Sequence, residues 1–358
     1  MKTLENAIQN ISEPDGKMVE AARKRLREQA RPAGCLGLLE DVGARLAGIF
    51  GTLDVRLLNK VIVTCAGDHG ICAEGVSLFP SDVTPQMVYN FVNGGASINV
   101  LARHAGARVE VADLGVAVDF ESELPIFHKK IKKGTDNFAR GPAMTRDEAV
   151  GSIEAGIEIV DELTAKSPVH LLGTGDMGIG NTTPSTAIIA VYSKLPVADL
   201  TGRGTGLDDE GLKLKITTIE KGLAVNSPDI SDPLDVLSKV GGFEIGGLAG
   251  LVIGAASHGI PVVCDGFIST AGALLACKLA PKARDFLFAS HNSVEVGHRC
   301  MLEHMNLVPL LDLGFRLGEG TGAALAMELI DAATRILCDI KTFEEVAIAD
   351  AQRAYDIP

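Results

Sequence analysis

Short apolar runs separated by helical segments are the feature that most narrows the folds open to this chain. They are Val61-Ile-Val-Thr-Cys65, Val109-Glu-Val-Ala112, Val169-His-Leu-Leu172, Pro261-Val-Val-Cys264 and Leu307-Val-Pro-Leu-Leu311. Continuous β-branched runs that alternate with helices mark parallel strands buried on both faces. The expected class is therefore α/β, a mostly parallel Rossmann-like sheet flanked by helices. Aromatic residues make up 4 % and Trp is absent, while Gly numbers 40, which suits tight strand–loop–helix turns better than a β-sandwich core. Residues 12–43, broken at Pro32-Ala-Gly34, and 321–337 read as amphipathic helices, with a further short helix expected near 343–354.

Charge and cysteine usage exclude several classes. A net charge of −13 argues against nucleic acid as a partner, because phosphate neutralisation needs clustered Lys and Arg. Lys129, Lys130, Lys132 and Lys133 read as a solvated loop. The 7 cysteines are odd in number and form no Cys-x-x-Cys pair, so a disulfide framework is not expected and a reducing cytoplasm is. No apolar leader is read in Met1-Lys-Thr-Leu-Glu-Asn6. The most apolar stretch, 247–264, is interrupted by Ser257, His258, Gly259 and Pro261 and reads as a buried helix followed by a strand, not a membrane span.

Ligands of open α/β sheets bind beyond the carboxyl ends of the strands. The segments there are Ala66-Gly-Asp-His-Gly70, Asp113-Leu-Gly115, Gly173-Thr-Gly-Asp-Met-Gly-Ile-Gly180, Asp265-Gly266 and Gly318-Glu-Gly-Thr-Gly322. In the third, Gly175, Gly178 and Gly180 with Asn181, Thr182 and Thr183 lead into an apolar helix. Glycines let backbone N–H groups approach an anion and the helix N-terminus adds its dipole, so a phosphate seat is expected, with Thr182 or Thr183 capping and Pro184 in the first turn. The same glycines satisfy a dinucleotide pattern with Asp199 downstream, which keeps an NAD-binding oxidoreductase as an alternative.

Leu317-Gly-Glu-Gly-Thr-Gly322 sets one carboxylate, Glu319, between Gly318 and Gly320 ahead of a helix. Partial burial there raises its pKa toward that of a useful general base. Asp68 and His69 point opposite ways from a strand end, so Asp68 is read as holding turn N–H groups. His291, Glu295 and His298 have helical metal-ligand spacing, but no second acidic helix is found and a solvated helix face is expected. Lys239 beside Gly241 and Gly242 is a candidate for a phosphate or ribose oxygen, a surface lysine being the other reading. The loops 201–206 and 265–266 are candidates to line the same cleft.

Together, Ala66-Gly-Asp-His-Gly70 with Glu74-Gly-Val76, the 173–184 segment, Asp235-Val-Leu-Ser-Lys-Val-Gly-Gly-Phe243, Asp265-Gly-Phe267 and Arg316-Leu-Gly-Glu-Gly-Thr-Gly-Ala-Ala-Leu-Ala-Met327 resemble the nicotinate-nucleotide:dimethylbenzimidazole phosphoribosyltransferase family. The resemblance implies a large α/β domain over 51–324 and a small helical domain from both chain ends, 1–50 with 325–358, assembled as a dimer. It implies transfer of phosphoribose from nicotinate mononucleotide to an aromatic base, without metal or cofactor, with Glu319 as base and Asp176 as a second catalytic residue. Nucleotide contacts fall to Gly175, Gly178, Gly180, Asn181, Thr182, Thr183, Lys239, Asp265, Gly318 and Gly320, and the acceptor pocket to Phe79, Pro80, Met87, Met177 and Leu317.

Two departures stand out. Asp176 replaces the family's usual Glu, and Pro32-Ala-Gly-Cys-Leu-Gly-Leu-Leu-Glu40 lacks the Ser and Arg of the family's N-terminal motif. With Leu78, Phe79, Pro80 and Met87 all apolar, the acceptor pocket is expected to read flat aromatics loosely. Alternatives are a subunit of a heterodimer with a paralogue that uses phenol or p-cresol, and a catalytically silent partner subunit.

Overall fold

A computed structural model describes residues 1–348. Its six strands are β1 Lys60–Gly67, β2 Ala107–Gly115, β3 Phe127–His128, β4 Leu171–Met177, β5 Val262–Cys264 and β6 Leu287–Ala289. They form one parallel sheet in the order β3-β2-β1-β4-β5-β6. Every residue of β1 is buried, as a strand covered on both faces must be.

Four of the five apolar runs become strands, β4 starting only at Leu171. The fifth, 307–311, does not. Pro309 has no N–H to give a ladder and Val308 is 63 % exposed, so the run makes only an isolated bridge, Leu311 to His291. The last strand is instead β6, three residues long. β3 is shorter still and pairs only at Ala112 and Asp113.

The helices are α1 Lys2–Asn10, α2 Gly16–Glu28, α3 Leu38–Phe50, α4 Val83–Val92, α5 Ser97–His104, α6 Arg146–Lys166, α7 Thr182–Ser193, α8 Asp209–Asn226, α9 Pro233–Val240, α10 Phe243–Ser257, α11 Phe267–Leu279, α12 Val296–His304 and α13 Thr321–Asp339. Their starts are written locally. Thr145 and Glu148 form a reciprocal capping box on α6, and Asp232 accepts from the Leu234 and Asp235 N–H groups with Pro233 at the first position of α9. Of the expected helix near 343–354, residues 343–347 are turn, and those from 349 on lie outside the described residues.

The chain divides into two compact units, Met1–Ser12 with Asn59–Ala326, and Glu13–Leu58 with the residues from Met327 onward. This differs from the expected division, 1–50 with 325–358, at the front of the chain. Helix α1 belongs to the sheet unit, where the Leu4 N–H donates to the Glu154 carboxylate of α6 at 3.1 Å. In the second unit, Arg25 of α2 donates to the Leu337 carbonyl of α13 at 3.0 Å.

Helix α10 is buried from Phe243 through Ala256, which explains why it lacks a polar face. It packs backbone to backbone on α6. A side-chain carbon added at Gly250 would lie 2.0 Å from the Ile153 carbonyl oxygen, and one at Gly156 would lie 2.1 Å from that of Gly247. No ordinary atom pair tolerates such distances. Gly250→Ala should therefore lower stability by about 1–3 kcal/mol through overpacking, in spite of a helix-propensity gain of about 1 kcal/mol. Urea unfolding checks this, and an unchanged or raised midpoint would contradict the close approach.

Candidate active site

The sheet reverses its winding between β1 and β4, which opens a crevice at their carboxyl ends. Register sets Cys65 beside Asp176 and Ala66 beside Met177, so β4 delivers Asp176 to the lip of that crevice. A cavity of about 670 Å³ lies there.

The glycine loop after β4 folds onto the end of β1. A carbon on Gly178 would lie 2.4 Å from the Gly67 carbonyl oxygen, and Gly180 takes φ +87° against the Cys72 sulfur. The Ile179 N–H donates to Thr84 Oγ1 (3.2 Å) and the Ile179 carbonyl accepts from the Cys72 thiol (3.0 Å). Neither Thr182 nor Thr183 caps α7, contrary to expectation. The cap position falls to Asn181, and its side chain turns away to donate to Asp176 Oδ2 at 3.0 Å, so no side chain occupies the helix N-terminus. That leaves the end of α7 facing the cavity through Gly180, Asn181 and Thr182.

Asp265 has a different role from the one expected. It does not line the cavity: its carboxylate accepts from the N–H groups of Gly320 (3.0 Å), Gly322 (2.8 Å) and Ala323 (3.1 Å) and so caps α13. The 318–320 turn is thereby locked, with Glu319 at φ +63°, a left-handed conformation costly for a side chain. The Glu319 N–H donates to the Asp176 carbonyl (3.1 Å), and its carbonyl accepts from Thr64 Oγ1 (2.9 Å). Its Oε2 accepts from the Ile98 N–H in the first turn of α5 (3.1 Å).

Burial is the leading cause of every carboxyl shift here. It raises Glu319 above the usual range against the opposing Ile98 hydrogen bond, with the Asp265 charge adding to the rise. It lifts Asp265 to about 7 in spite of its backbone donors. Asp176 stands well above a normal aspartate because it is buried and faces Asp265. Asp176 Oδ1 has no hydrogen-bond partner.

Of the residues expected at the site, Asp176, Met177, Gly178, Gly180, Asn181, Thr182, Phe79, Leu317 and Gly318 line the cavity. Glu319 stands between the lining residues Gly318 and Thr321 and is itself 6 % exposed. Gly175 and Gly320 act from behind: a carbon on Gly175 would strike the Glu319 carbonyl, and one on Gly320 would meet Ile62. Thr183 is buried below the loop. Pro80 and Met87 are not among the lining residues, since Phe79 and Ser77 occupy that wall. Lys239 is not brought to the cavity, because its ammonium is engaged by Asp235 (2.9 Å) and the Ser227 carbonyl (3.2 Å).

In the segment read as a solvated helix face, His291, Glu295 and His298 are instead buried, while Arg299, Glu303 and His304 are exposed. α12 begins only at Val296, so His291 and Glu295 lie in the loop after β6, and both line the cavity. His298 is fully buried, bonded to Thr270 Oγ1 at 2.9 Å. Asp68 holds the Ala117 N–H at 2.8 Å as expected, and His69 Nε2 pairs with Glu244 Oε1 at 2.7 Å. Asp199 is exposed in the turn Val197–Asp199. Sequence reasoning passed over Lys215, which lies inside an ordinary-looking helix. Its ammonium donates to Thr182 Oγ1 at 2.7 Å, and burial brings its pKa down to about 8.

Removing the α13 cap with Asp265→Ala leaves three N–H groups without their acceptor. A loss of about 2–3 kcal/mol in chemical unfolding is expected, with Asp265→Asn losing less because one acceptor oxygen remains. Equal stability of Asp265→Ala and the parent would contradict the capping role.

The phosphoribosyltransferase family model matches residues 11–348. The chain is 55 % identical to the nicotinate-nucleotide–dimethylbenzimidazole phosphoribosyltransferase of Geobacter sulfurreducens over 98 % of this chain and 99 % of that one. It is 54 % identical to the protein of the same name from Desulforamulus reducens, again over 98 % and 99 %. The crystal structure of CobT from Thermus thermophilus superposes with a TM-score of 0.90 at 45 % identity, covering 94 % of this chain and 100 % of that one. The family match, this identity over nearly the whole chain and the shared fold lead to one conclusion: the chain belongs to the nicotinate-nucleotide–dimethylbenzimidazole phosphoribosyltransferase family.

Proposed function

We propose that this chain moves the phosphoribosyl group of nicotinate mononucleotide to a dimethylbenzimidazole-type base, releasing nicotinate and forming an α-ribotide for cobamide assembly. The observation that carries the reading is the pairing of an uncapped helix N-terminus with a buried, backbone-clamped carboxylate at one cavity. The phosphate sits on the 178–182 loop and the N-terminus of α7. The base stacks against the apolar wall of Phe79, Met177 and Leu317. A ring nitrogen of the base attacks the ribose C1 as the bond to the pyridinium nitrogen breaks, its electron pair returning to the nicotinyl ring, which needs no proton. Glu319 takes the proton from the second ring nitrogen. Ile98 holds one oxygen of Glu319, leaving the other for that proton, and Asp176, raised above a normal aspartate by burial, presents an Oδ1 without a partner beside it.

The enzyme acts as a homodimer in a reducing cytoplasm. Leu78, Phe79, Leu313 and Leu317, 53–60 % exposed on or beside the cavity-lining segments, offer an apolar surface for a second copy. All 7 cysteines stand as free thiols. No described helix is long and apolar enough to cross a membrane.

Nicotinate release, followed by chromatography with nicotinate mononucleotide and 5,6-dimethylbenzimidazole, tests the reading. No release by the wild type would overturn it. Glu319→Gln should lower kcat by about 10²–10⁴-fold. Because the base must be ionised and burial raises its pKa, wild-type activity should rise with pH through a limb above the ordinary glutamate range, and that limb should be missing from the residual rate of the variant. A Glu319→Gln enzyme with wild-type kcat would remove Glu319 as the base.

A further inference from the structure

At one wall of the cavity stand two buried groups of opposite charge. The wall is the 202–205 turn, whose Gly204 and Thr205 face the cavity. From α8, the fully buried Lys215 donates to the Gly202 carbonyl (3.3 Å) and to Thr182 Oγ1 (2.7 Å), both neutral acceptors. From the loop after β6, Glu295 presses on the same residue: a carbon added at Gly202 would lie 2.0 Å from Glu295 Oε2. That oxygen is buried and has no hydrogen-bond partner. Arg316 completes the clamp by donating to the Gly204 carbonyl (3.0 Å).

A lysine buried among neutral acceptors tends to shed its proton, and an amine without charge is a poor phosphate ligand. Burial already takes Lys215 to about 8, and the Glu295 charge is what opposes the fall. Among the described residues, the hydrogen-bond partners of the ammonium are the Thr182 hydroxyl of α7 and the Gly202 carbonyl of the wall. A carboxylate repels a phosphate, so Glu295 is not itself a ligand for one, and its Oε2 is left without a partner. A buried carboxylate in that state is costly unless a positive charge compensates it.

We infer that Glu295 is a positioning residue for the phosphate seat: across Gly202 from Lys215, its carboxylate keeps that ammonium charged and sets the Gly202–Thr205 wall against the α7 N-terminus. The inference rests on the proposed nucleotide reading, and its test separates the two. Calorimetric titration with nicotinate mononucleotide from pH 6 to pH 10 reads binding without turnover.

Wild-type binding should weaken above pH 8. In Glu295→Gln the weakening should begin about one pH unit lower, giving about fivefold weaker binding at pH 8, approaching tenfold above about pH 9, with little change at pH 6. Glu295→Asp, which keeps the charge, should restore most of the alkaline affinity, and Lys215→Met should flatten the profile. A uniform loss at every pH in Glu295→Gln, or a profile superimposable on the wild type, would overturn the inference, since a wall brace alone has no pH signature. Failure of nicotinate release with the binding profile intact would instead count against the transferase reading and leave the role of Glu295 standing.

Discussion

The Asp265 carboxylate organises the catalytic end of the sheet. Three backbone N–H groups at the start of α13 converge on it, and its own N–H donates to Thr174 of β4 at 3.2 Å. Through these bonds the end of β5, the middle of β4 and the first turn of α13 become one rigid piece. Glu319 can hold a left-handed backbone only because its neighbours on both sides are fixed in this way. The arrangement has an electrostatic cost. Asp176, Asp265 and Glu319 share a small dry volume, all three are raised by burial, and the Asp265 charge raises both of the others further. That cost is also what leaves a carboxyl able to carry a proton near neutral pH.

The scaffold that tolerates this crowding is stiff. Helix α10 lies against α6 with Gly156, Gly247 and Gly250 where the two backbones approach most nearly, and α10, buried from Phe243 through Ala256, packs in turn on β1, β2 and β4. Strain at the strand ends is thus held by a core with no room to relax. The glycine loop after β4 is pinned in the same manner, by Thr84, Cys72 and the end of β1, so its shape is set before any ligand arrives.

Much of the fold was legible because the code for it is local. Buried parallel strands need continuous apolar runs, and four of the five runs are strands. The failure at 307–311 is instructive: apolar content alone does not make a strand when a proline interrupts the donors and one side chain faces solvent. β6, a three-residue strand, lies below the length at which a pattern can be recognised. Missing it carried a second error, because without that strand 291–295 had no reason to be read as a loop at a strand end. The site's glycines and Glu319 were legible for the opposite reason: their chemistry is concentrated in a few adjacent residues.

From its order of residues the chain determines an α/β sheet, a glycine loop leading into a helix, a glycine-framed carboxylate and its family, since each of these depends on neighbours in sequence. Partnerships across the fold were decided only by the tertiary structure. Lys239 looked like a ligand and is engaged by Asp235, while Lys215 looked like any helix lysine and meets Thr182 across two helices. Asp265 looked like a substrate contact and caps α13 from 55 residues away in sequence. Hydrogen bonds and charges act over a few ångströms in space, and nothing in the local pattern around either lysine or around Asp265 records which distant group folding brings into that range.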